Sequence, residues 1–500
     1  MDKRMQRAKI NALTTSLSQI VSTVIGIAIP WIMISYFGSE AYGATTSIAS
    51  FLAYISLFEG GIGRVARSAL YKPLAVGDEE QISSIYLAVK RFFSGIGLAF
   101  VGYTVILAIF YYDIAEVSVF DRGYIFALVL VIALSKFAEY MWGISNITLL
   151  NAHQRRYVVN AVTILSNILN LLAIIILVTL GAEILWVKLG TALVFLLKPI
   201  IYSIYVKRHY NIRKTKTRAV LKNKATGIAQ HVAYVVQNST DVLILTVFSD
   251  LKYVAVYSVY YLITFNLRSI VTAFTGGMEA VFGDMIAKGE HDQLKAAYEK
   301  YKFILTVLVI AFFGTAAILI LPFVALYTRG TTDVDYIQPV FALIMVLTEA
   351  INCLIWPCFN LTIAGNKLKE SRAGAYGEAI VNIAVSMALV FWNPLIGLAI
   401  GTLVASLYKY VFYMVFSSKK ILKVSVGRLA LNSAIVGAVL LTVSVVGMTV
   451  VQKLDISSYL LWIAAGFITF IAVGAIALAT GLILYPKSGK SVKRILNRSK

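Results

Sequence analysis

Positive charge is distributed unevenly among the loops that separate the apolar segments of this chain. About fourteen segments are long enough to cross a bilayer, so successive loops must alternate between its two sides. Of the 45 Lys and Arg residues, all but nine then fall in loops on one side. The nine others lie in the opposite loops (Arg122, Lys252, Arg329, Lys453) or inside the segments (Lys136, Lys188, Lys198, Arg268, Lys409). Basic loops stay in the cytoplasm during insertion, so this asymmetry predicts a polytopic membrane protein and its orientation.

The composition excludes the main soluble classes. Hydrophobic residues make up 59% of the chain and charged residues 14%, whereas globular domains are about one quarter charged. The net charge of +21 does not indicate nucleic-acid binding, because the basic residues are spread over short loops and form no basic domain interleaved with aromatic residues. We expect these loops to meet the anionic headgroups of membrane lipids.

The pattern predicts an all-α fold with both termini in the cytoplasm, since the number of spans is even. The predicted spans are 10–36, 42–63, 92–112, 123–150, 158–180, 184–206, 228–248, 253–276, 303–327, 337–363, 374–392, 395–416, 429–451 and 459–485.

Two short matches indicate an internal repeat. Residues 37–42 resemble residues 248–253 at an offset of 211, and 168–170 resemble 380–382 at an offset of 212. Both halves would begin inside, which predicts two six-helix lobes of the same orientation. The predicted domains are a first lobe at 1–206, a basic linker at 207–227, a second lobe at 228–416, an appended helix pair at 417–485 and a basic tail at 486–500.

Polar residues form a stripe on the first span and on its repeat partner, the seventh. Steps of three and four place each set on one helix face. The stripes are Asn11, Thr15, Ser18 and Ser22, and Gln230, Tyr234, Gln237 and Asp241. Two interpretations stay open: the stripes line a shared polar cavity, or they form hydrogen bonds between packed helices.

Three arginines are candidates for binding an anionic substrate. Arg64 and Arg67 follow Glu59 at the inner end of the second span, and they serve either as a cationic mouth or as ordinary positive-inside anchors. Arg268 lies well inside the eighth span, where it either extends to the inner surface or, as we expect, faces a cavity. The planar guanidinium suits phosphate oxygens because it donates two parallel hydrogen bonds.

Four carboxylates are candidates for coupling transport to a proton or a cation: Glu59, Glu139, Glu349 and Glu378. Glu139 is three residues after Lys136, so the two can pair on one helix face. Glu349 and Glu378 have no partner nearby in sequence. They either bind a coupling ion or pair across helices with Lys409 or Lys198.

The sequence favours movement over bond making. It has no phosphate-binding Walker loop and no spacing of metal ligands, so we expect no cofactor, no metal and no catalytic residue. A glycan polymerase or ligase facing the exterior would need a long outer loop with paired carboxylates or clustered arginines, and the outer loops are short.

Several stretches resemble the polysaccharide transporter (Wzx-type) branch of the multidrug/oligosaccharidyl-lipid/polysaccharide (MOP) flippase superfamily. They occur in the family's order and together extend over most of the chain. These stretches are Tyr36–Gly43, Glu59–Gly63, Asn151–Arg156, Asp241–Leu245 with Val256–Ser258, and Ala364–Lys367.

The resemblance implies two six-helix lobes around a central cavity that opens alternately to each side of a bacterial cytoplasmic membrane. It implies a flippase whose cargo is an undecaprenyl-diphosphate-linked oligosaccharide, destined for O-antigen, capsule or exopolysaccharide. Other polysaccharide-assembly proteins would be further partners. Arg64, Arg67 and Arg268 would then hold the diphosphate, and the two polar stripes would give the sugars a wet path.

Three alternatives remain. A multidrug or cation antiporter of the same fold would need a cavity dominated by carboxylates. A peptidoglycan lipid II flippase differs in cargo, and that branch carries cavity arginines in its first span, which is uncharged here. A membrane glycan polymerase or ligase is disfavoured by the short outer loops.

Overall fold

The computed structural model describes residues 3–60, 62–213, 228–274 and 277–488. Throughout these ranges the regular structure is helical. The helices are α1 (Lys3–Ala53), α2 (Ile62–Val76), α3 (Glu79–Ile114), α4 (Arg122–Ala138), α5 (Ile144–Ala152), α6 (Arg156–Thr179), α7 (Ile184–His209), α8 (Ile228–Phe248), α9 (Leu251–Ala273), α10 (Met278–Lys288), α11 (His291–Tyr327), α12 (Pro339–Leu354), α13 (Trp356–Ala364), α14 (Arg372–Leu389), α15 (Pro394–Ser417), α16 (Val426–Val451) and α17 (Tyr459–Leu484).

The chain is a multi-pass membrane protein. Within the described residues, eleven helices are long and apolar enough to cross a bilayer. The difference from the predicted fourteen has three sources. The first two spans are joined in α1, which Gly38 interrupts with a φ of 80° and a ψ of 171°. In α8 the described apolar stretch, Ser239–Phe248, is too short to count as a span. Helix α14 is not among the eleven, because Arg372 and Glu378 lower the hydropathy of its 18 residues. The number fourteen therefore stays a prediction.

Large apolar side chains on the outside of the helices are consistent with a lipid surround. On α17, Leu460, Phe467 and Ile471 are 79%, 69% and 70% exposed. In water such a surface would be unfavourable, whereas lipid removes that penalty. Helices are suited to this setting because each satisfies its own backbone hydrogen bonds.

The chain divides into two compact units, residues 1–255 and 256–500. In the first unit α1 packs against α6 and α4 against α7, and Ile32, Met33, Ile174 and Val187 form part of its core. The unit also includes α8, which lies against α1, although the sequence places that helix in the second lobe. The predicted lobe boundaries stay a prediction.

In the second unit α14 and α15 form a tightly packed hairpin, and α11 packs against α16 and α17. The close approach of α14 and α15 requires glycine at position 401. A Cβ added at Gly401 would lie 2.1 Å from Ser386 Oγ and 2.7 Å from its backbone nitrogen. Small residues commonly allow membrane helices to approach in this way.

Backbone landmarks recur at an offset of 212 residues, in agreement with the predicted repeat. Helices α2 and α10 end at Val76 and Lys288. Each is followed by a left-handed glycine, with φ values of 75° and 73°. Gln154 and Asn366 also adopt positive φ values, 58° and 54°, although neither is a glycine. These pairs mark the same turns in the two halves of the chain.

Candidate functional site

The second unit contains a buried ion pair between two membrane helices. Arg268 on α9 donates from Nη1 to Glu349 Oε2 on α12 at 2.8 Å. The two side chains are 17% and 6% exposed. Asn352, one turn along α12, directs its Nδ2 at the same oxygen at 3.4 Å. Charged groups inside a membrane are costly and are usually retained for a function.

A second ion pair joins the tightly packed hairpin. Lys409 Nζ on α15 donates to Glu378 Oε1 on α14 at 2.8 Å. Glu378 is 2% exposed at its side chain. Its other oxygen, Oε2, is buried and has no hydrogen-bond partner among the described residues. The pairing with Lys409 is one of the two that the sequence left open.

Further polar side chains lie on the helices that carry these two pairs. Asn382 Nδ2 donates to Thr402 Oγ1 at 3.0 Å, and Ser406 Oγ donates to Asn352 Oδ1 at 3.2 Å. Thr402, Ser406 and Lys409 share one face of α15, since they are four and three residues apart. We call this set of polar residues the polar seam: Arg268, Glu349, Asn352, Glu378, Asn382, Ser386, Thr402, Ser406 and Lys409.

The polar seam carries spare acceptor capacity on α14. Glu378, Asn382 and Ser386 follow each other at steps of four, which places them on one face. In the described chain, Glu378 Oε2, Asn382 Oδ1 and Ser386 Oγ are buried without a hydrogen-bond partner. Buried polar atoms of this kind are uncommon and call for an explanation. A proton, a water molecule or a small cation would satisfy them.

The first unit has its own polar cavity, of about 240 Å3, between α4, α6 and α7. Lys136, Glu139 and Lys198 line it, and Lys136 Nζ lies 3.1 Å from Glu139 Oε2, as the spacing of three predicts. Glu139 begins a widened helical turn that ends at Gly143, a distortion that is common at functional sites. Tyr140, within this turn, donates to Glu59 Oε1 at 2.6 Å.

The polar stripe of α1 faces α6. Asn11 bonds to both Gln154 O and the Tyr157 amide at 2.8 Å. Thr15 accepts from Asn160 Nδ2 at 2.9 Å. Ser22 accepts from Asn167 Nδ2 at 3.0 Å, and Ser18 is buried. These bonds favour the helix-packing interpretation of the stripe, and its cavity-lining role stays a prediction.

The remaining predicted residues lie on α2 and α8. Arg67 is half-buried, and the side chain of Arg64 lies outside the described residues. So do the side chains of Gln230 and Gln237. Asp241 is 2% exposed, next to Thr240, whose hydroxyl pairs with Tyr54 Oη at 2.6 Å.

Sequence reasoning missed several polar residues. Lys302 is 4% exposed within α11, although the sequence placed it in a loop. Asn352, Ser386, Thr402 and Ser406 of the polar seam were not singled out either. The one available signal was the step of four from Glu378 through Asn382 to Ser386.

No family model matches this sequence, and no curated protein matches it. The fold does match solved transporter structures. A lipid II flippase MurJ in an inward closed conformation gives a TM-score of 0.68 at 16% identity, covering 95% of this chain and 99% of that one.

Two multidrug transporters are also similar. An inward-facing MATE family transporter of the MOP superfamily gives a TM-score of 0.62 at 16% identity, covering 82% of this chain and 98% of that one. A eukaryotic MATE transporter gives 0.54 at 14% identity, with coverage of 82% and 95%. The fold is therefore similar to that of these flippase and transporter structures.

Proposed function

We propose that this chain moves polyprenyl-diphosphate-linked oligosaccharide repeat units from the inner to the outer leaflet of a bacterial cytoplasmic membrane. The mechanism would be alternating access, and the product would enter a surface polysaccharide. The observation that carries the proposal is the buried pair of Arg268 and Glu349 inside a membrane bundle of the flippase fold.

We expect Arg268 to bind a diphosphate by exchanging partners. Its guanidinium already bonds to Glu349, so an incoming phosphate oxygen competes with that carboxylate. Once the phosphate takes the guanidinium, Glu349 has lost its cation in a low-dielectric environment. Uptake of a proton or a small cation by Glu349 offsets this loss. Cargo binding and ion binding are thereby coupled at one pair of residues.

Glu378 offers a second coupling position. Lys409 neutralises one of its oxygens, and the other is on the same face of α14 as the unpartnered acceptors of Asn382 and Ser386, one and two turns further along. A transported ion held there would add its charge to the driving force. Moving one charge across the membrane is worth about 2.3 kcal/mol per 100 mV. Glu139 and Glu59 of the first unit are further candidates for this role.

A peptidoglycan lipid II cargo is the second candidate function. The match to the lipid II flippase covers 95% of this chain, whereas the two MATE matches cover 82% of it. The similarity to the flippase therefore extends further along the chain, which favours a lipid-linked cargo over a drug. Both lipid-linked cargos present a diphosphate to Arg268, so cargo identity must be measured directly.

Deletion of the gene tests the proposal. We expect lipid-linked repeat units to accumulate in the cytoplasmic leaflet, and complementation with Arg268→Ala to leave them there. Arg329→Ala is the matched control, because Arg329 belongs to the same unit but is exposed. Normal surface glycan in the deletion strain would refute the flippase. Accumulation of lipid II instead would assign the second cargo, and loss of drug efflux alone would assign an antiporter.

A further inference from the structure

A basic cavity of about 340 Å3 lies at the ends of three membrane helices in the second unit. Lys295 comes from the start of α11, Arg428 from the start of α16, and Lys487 lies three residues after the end of α17. Glu299 is the one acidic residue among those that line it. The charge pattern assigns all three helix ends to the cytoplasmic side. The cavity thus has a net positive lining at the membrane–water interface.

A buried lysine, Lys302, lies on the face of α11 that lines the cavity. Lys302 follows Lys295 by seven residues and Tyr298 by four, so the three share one face. Lys302 is 4% exposed, and its Nζ donates to Tyr410 Oη at 2.9 Å. Within the described ranges no carboxylate lies within ion-pair distance of it. A buried charge without a counter-ion is unfavourable, and an anion in the adjacent cavity would offset that cost.

The surroundings of the cavity are apolar on the lipid side. Leu429 and Leu484 line the cavity itself. Leu431 and Ile483, close to them in sequence, are 62% and 76% exposed. A ligand at this position therefore needs an anionic group for the cavity and hydrocarbon for the helix surfaces. A volume of this size is at the lower end of ordinary ligand pockets, which suits a headgroup and not a whole lipid.

We propose that this cavity binds the phosphate headgroup of an anionic phospholipid from the cytoplasmic leaflet. The lipid's acyl chains would lie on the exposed apolar surfaces of α16 and α17. Basic pockets between membrane helices on the cytoplasmic side are suited to such headgroups. The site is separate from the polar seam, and binding there does not depend on which cargo is moved.

Native mass spectrometry of the full chain tests the site, with phosphatidylglycerol compared with phosphatidylcholine. Each basic residue near an anionic surface contributes about fivefold in binding. We expect Arg428→Gln with Lys487→Gln to weaken phosphatidylglycerol retention by roughly 25-fold, with phosphatidylcholine retention unchanged. Both residues are exposed, so the variant is expected to fold.

The matched control is Lys207→Gln with Arg208→Gln. These residues are also one exposed Lys and one exposed Arg at a basic helix end, but they do not line the cavity. Equal loss of phosphatidylglycerol in both double variants would overturn the proposal, because it would reflect general surface charge. Equal retention of the two lipids by the unaltered protein would also overturn it. Displacement of the lipid by glycerol 3-phosphate at the same concentration would assign a soluble phosphate ligand and reject the lipid.

Discussion

Arg268 and Glu349 are 81 residues apart in sequence, and their side chains meet at 2.8 Å between α9 and α12. Each is the counter-ion that makes the other tolerable within the bilayer. The residue we propose for the diphosphate and the residue we propose for a proton are therefore held in one contact. Anything that changes the charge of one changes the availability of the other.

Glu349→Gln should strengthen cargo binding and slow transport. The amide is a weaker partner for Arg268, so the guanidinium becomes available to a diphosphate, while the proton-accepting group is lost. We expect binding of polyprenyl diphosphate in detergent to tighten by about tenfold, because hydrogen bonds to charged groups are worth about 1.5–3 kcal/mol. Transport should fall in proteoliposomes. Glu370→Gln, at an exposed loop position, is the control, and weaker binding by Glu349→Gln would contradict the exchange.

Lys409→Met should destabilise the protein more than removal of both charges. The single change leaves Glu378 buried without its cation, and breaking a buried pair costs about 3–5 kcal/mol. Lys409→Met with Glu378→Gln removes the charge from both helices and should recover much of that loss. Thermal unfolding in detergent measures both variants. A double variant as unstable as the single one would show that the pair has no such role.

Gly401→Ala should lower the thermal midpoint. Its Cβ would lie 2.7 Å from the Ser386 backbone nitrogen, and backbone atoms cannot move aside as a side chain can. Overpacking of this kind costs about 1–3 kcal/mol. Gly437→Ala is the control, because no atom lies within 4 Å of a Cβ at that position on α16. Equal midpoints for the two variants would be inconsistent with the close α14–α15 contact.

Stability should fall with decreasing pH in part through His153. Its Nδ1 lies 2.7 Å from Tyr210 Oη. Burial, and then the nearby charges of Arg155 and Arg7, lower the pKa of His153 below its usual 6.5. Below pH 6.5 the unfolded chain binds a proton at His153 more readily than the folded protein does. The contribution of His153 to stability is therefore fully present above pH 6.5 and is lost as the pH falls through the lowered pKa of the folded state.

The His153→Gln variant tests this assignment. The difference in thermal midpoint between pH 8 and pH 5 should be smaller in the variant than in the original protein. Gln keeps a hydrogen-bonding group near Tyr210 but does not titrate. His291→Gln, at an exposed position, is the matched control, and an identical pH dependence in all three proteins would rule out His153.

Local patterns in the sequence predicted local structure well. The all-helical membrane fold follows from the apolar segments and the charge asymmetry. The pair of Lys136 and Glu139 follows from a spacing of three, since both residues lie on one helix. Asn11, Thr15 and Ser22 of the α1 stripe each bond to residues in or next to α6, and helical periodicity alone places them on one face.

Contacts between distant helices were harder to predict. Periodicity does not say which helix a face meets, so the contacts of Asn11 and Ser22 with residues around α6 were not foreseen. Arg268 was assigned to phosphate and Glu349 to an ion, and their mutual contact depends on packing between α9 and α12. Lys302 was placed in a loop because the apolar stretch begins at residue 303, whereas α11 already begins at His291.

The turns that recur 212 residues apart show that the two halves share a backbone plan, yet their ionic chemistry differs. None of the four charged members of the polar seam has an ionisable counterpart at that offset. Arg268, Glu349, Glu378 and Lys409 correspond to Ser56, Phe137, Ser166 and Leu197. The first half instead has its own charged set, Lys136, Glu139 and Lys198, so one backbone plan carries two different arrangements of charge. Equivalent substitutions in the two copies should therefore have unequal consequences for transport.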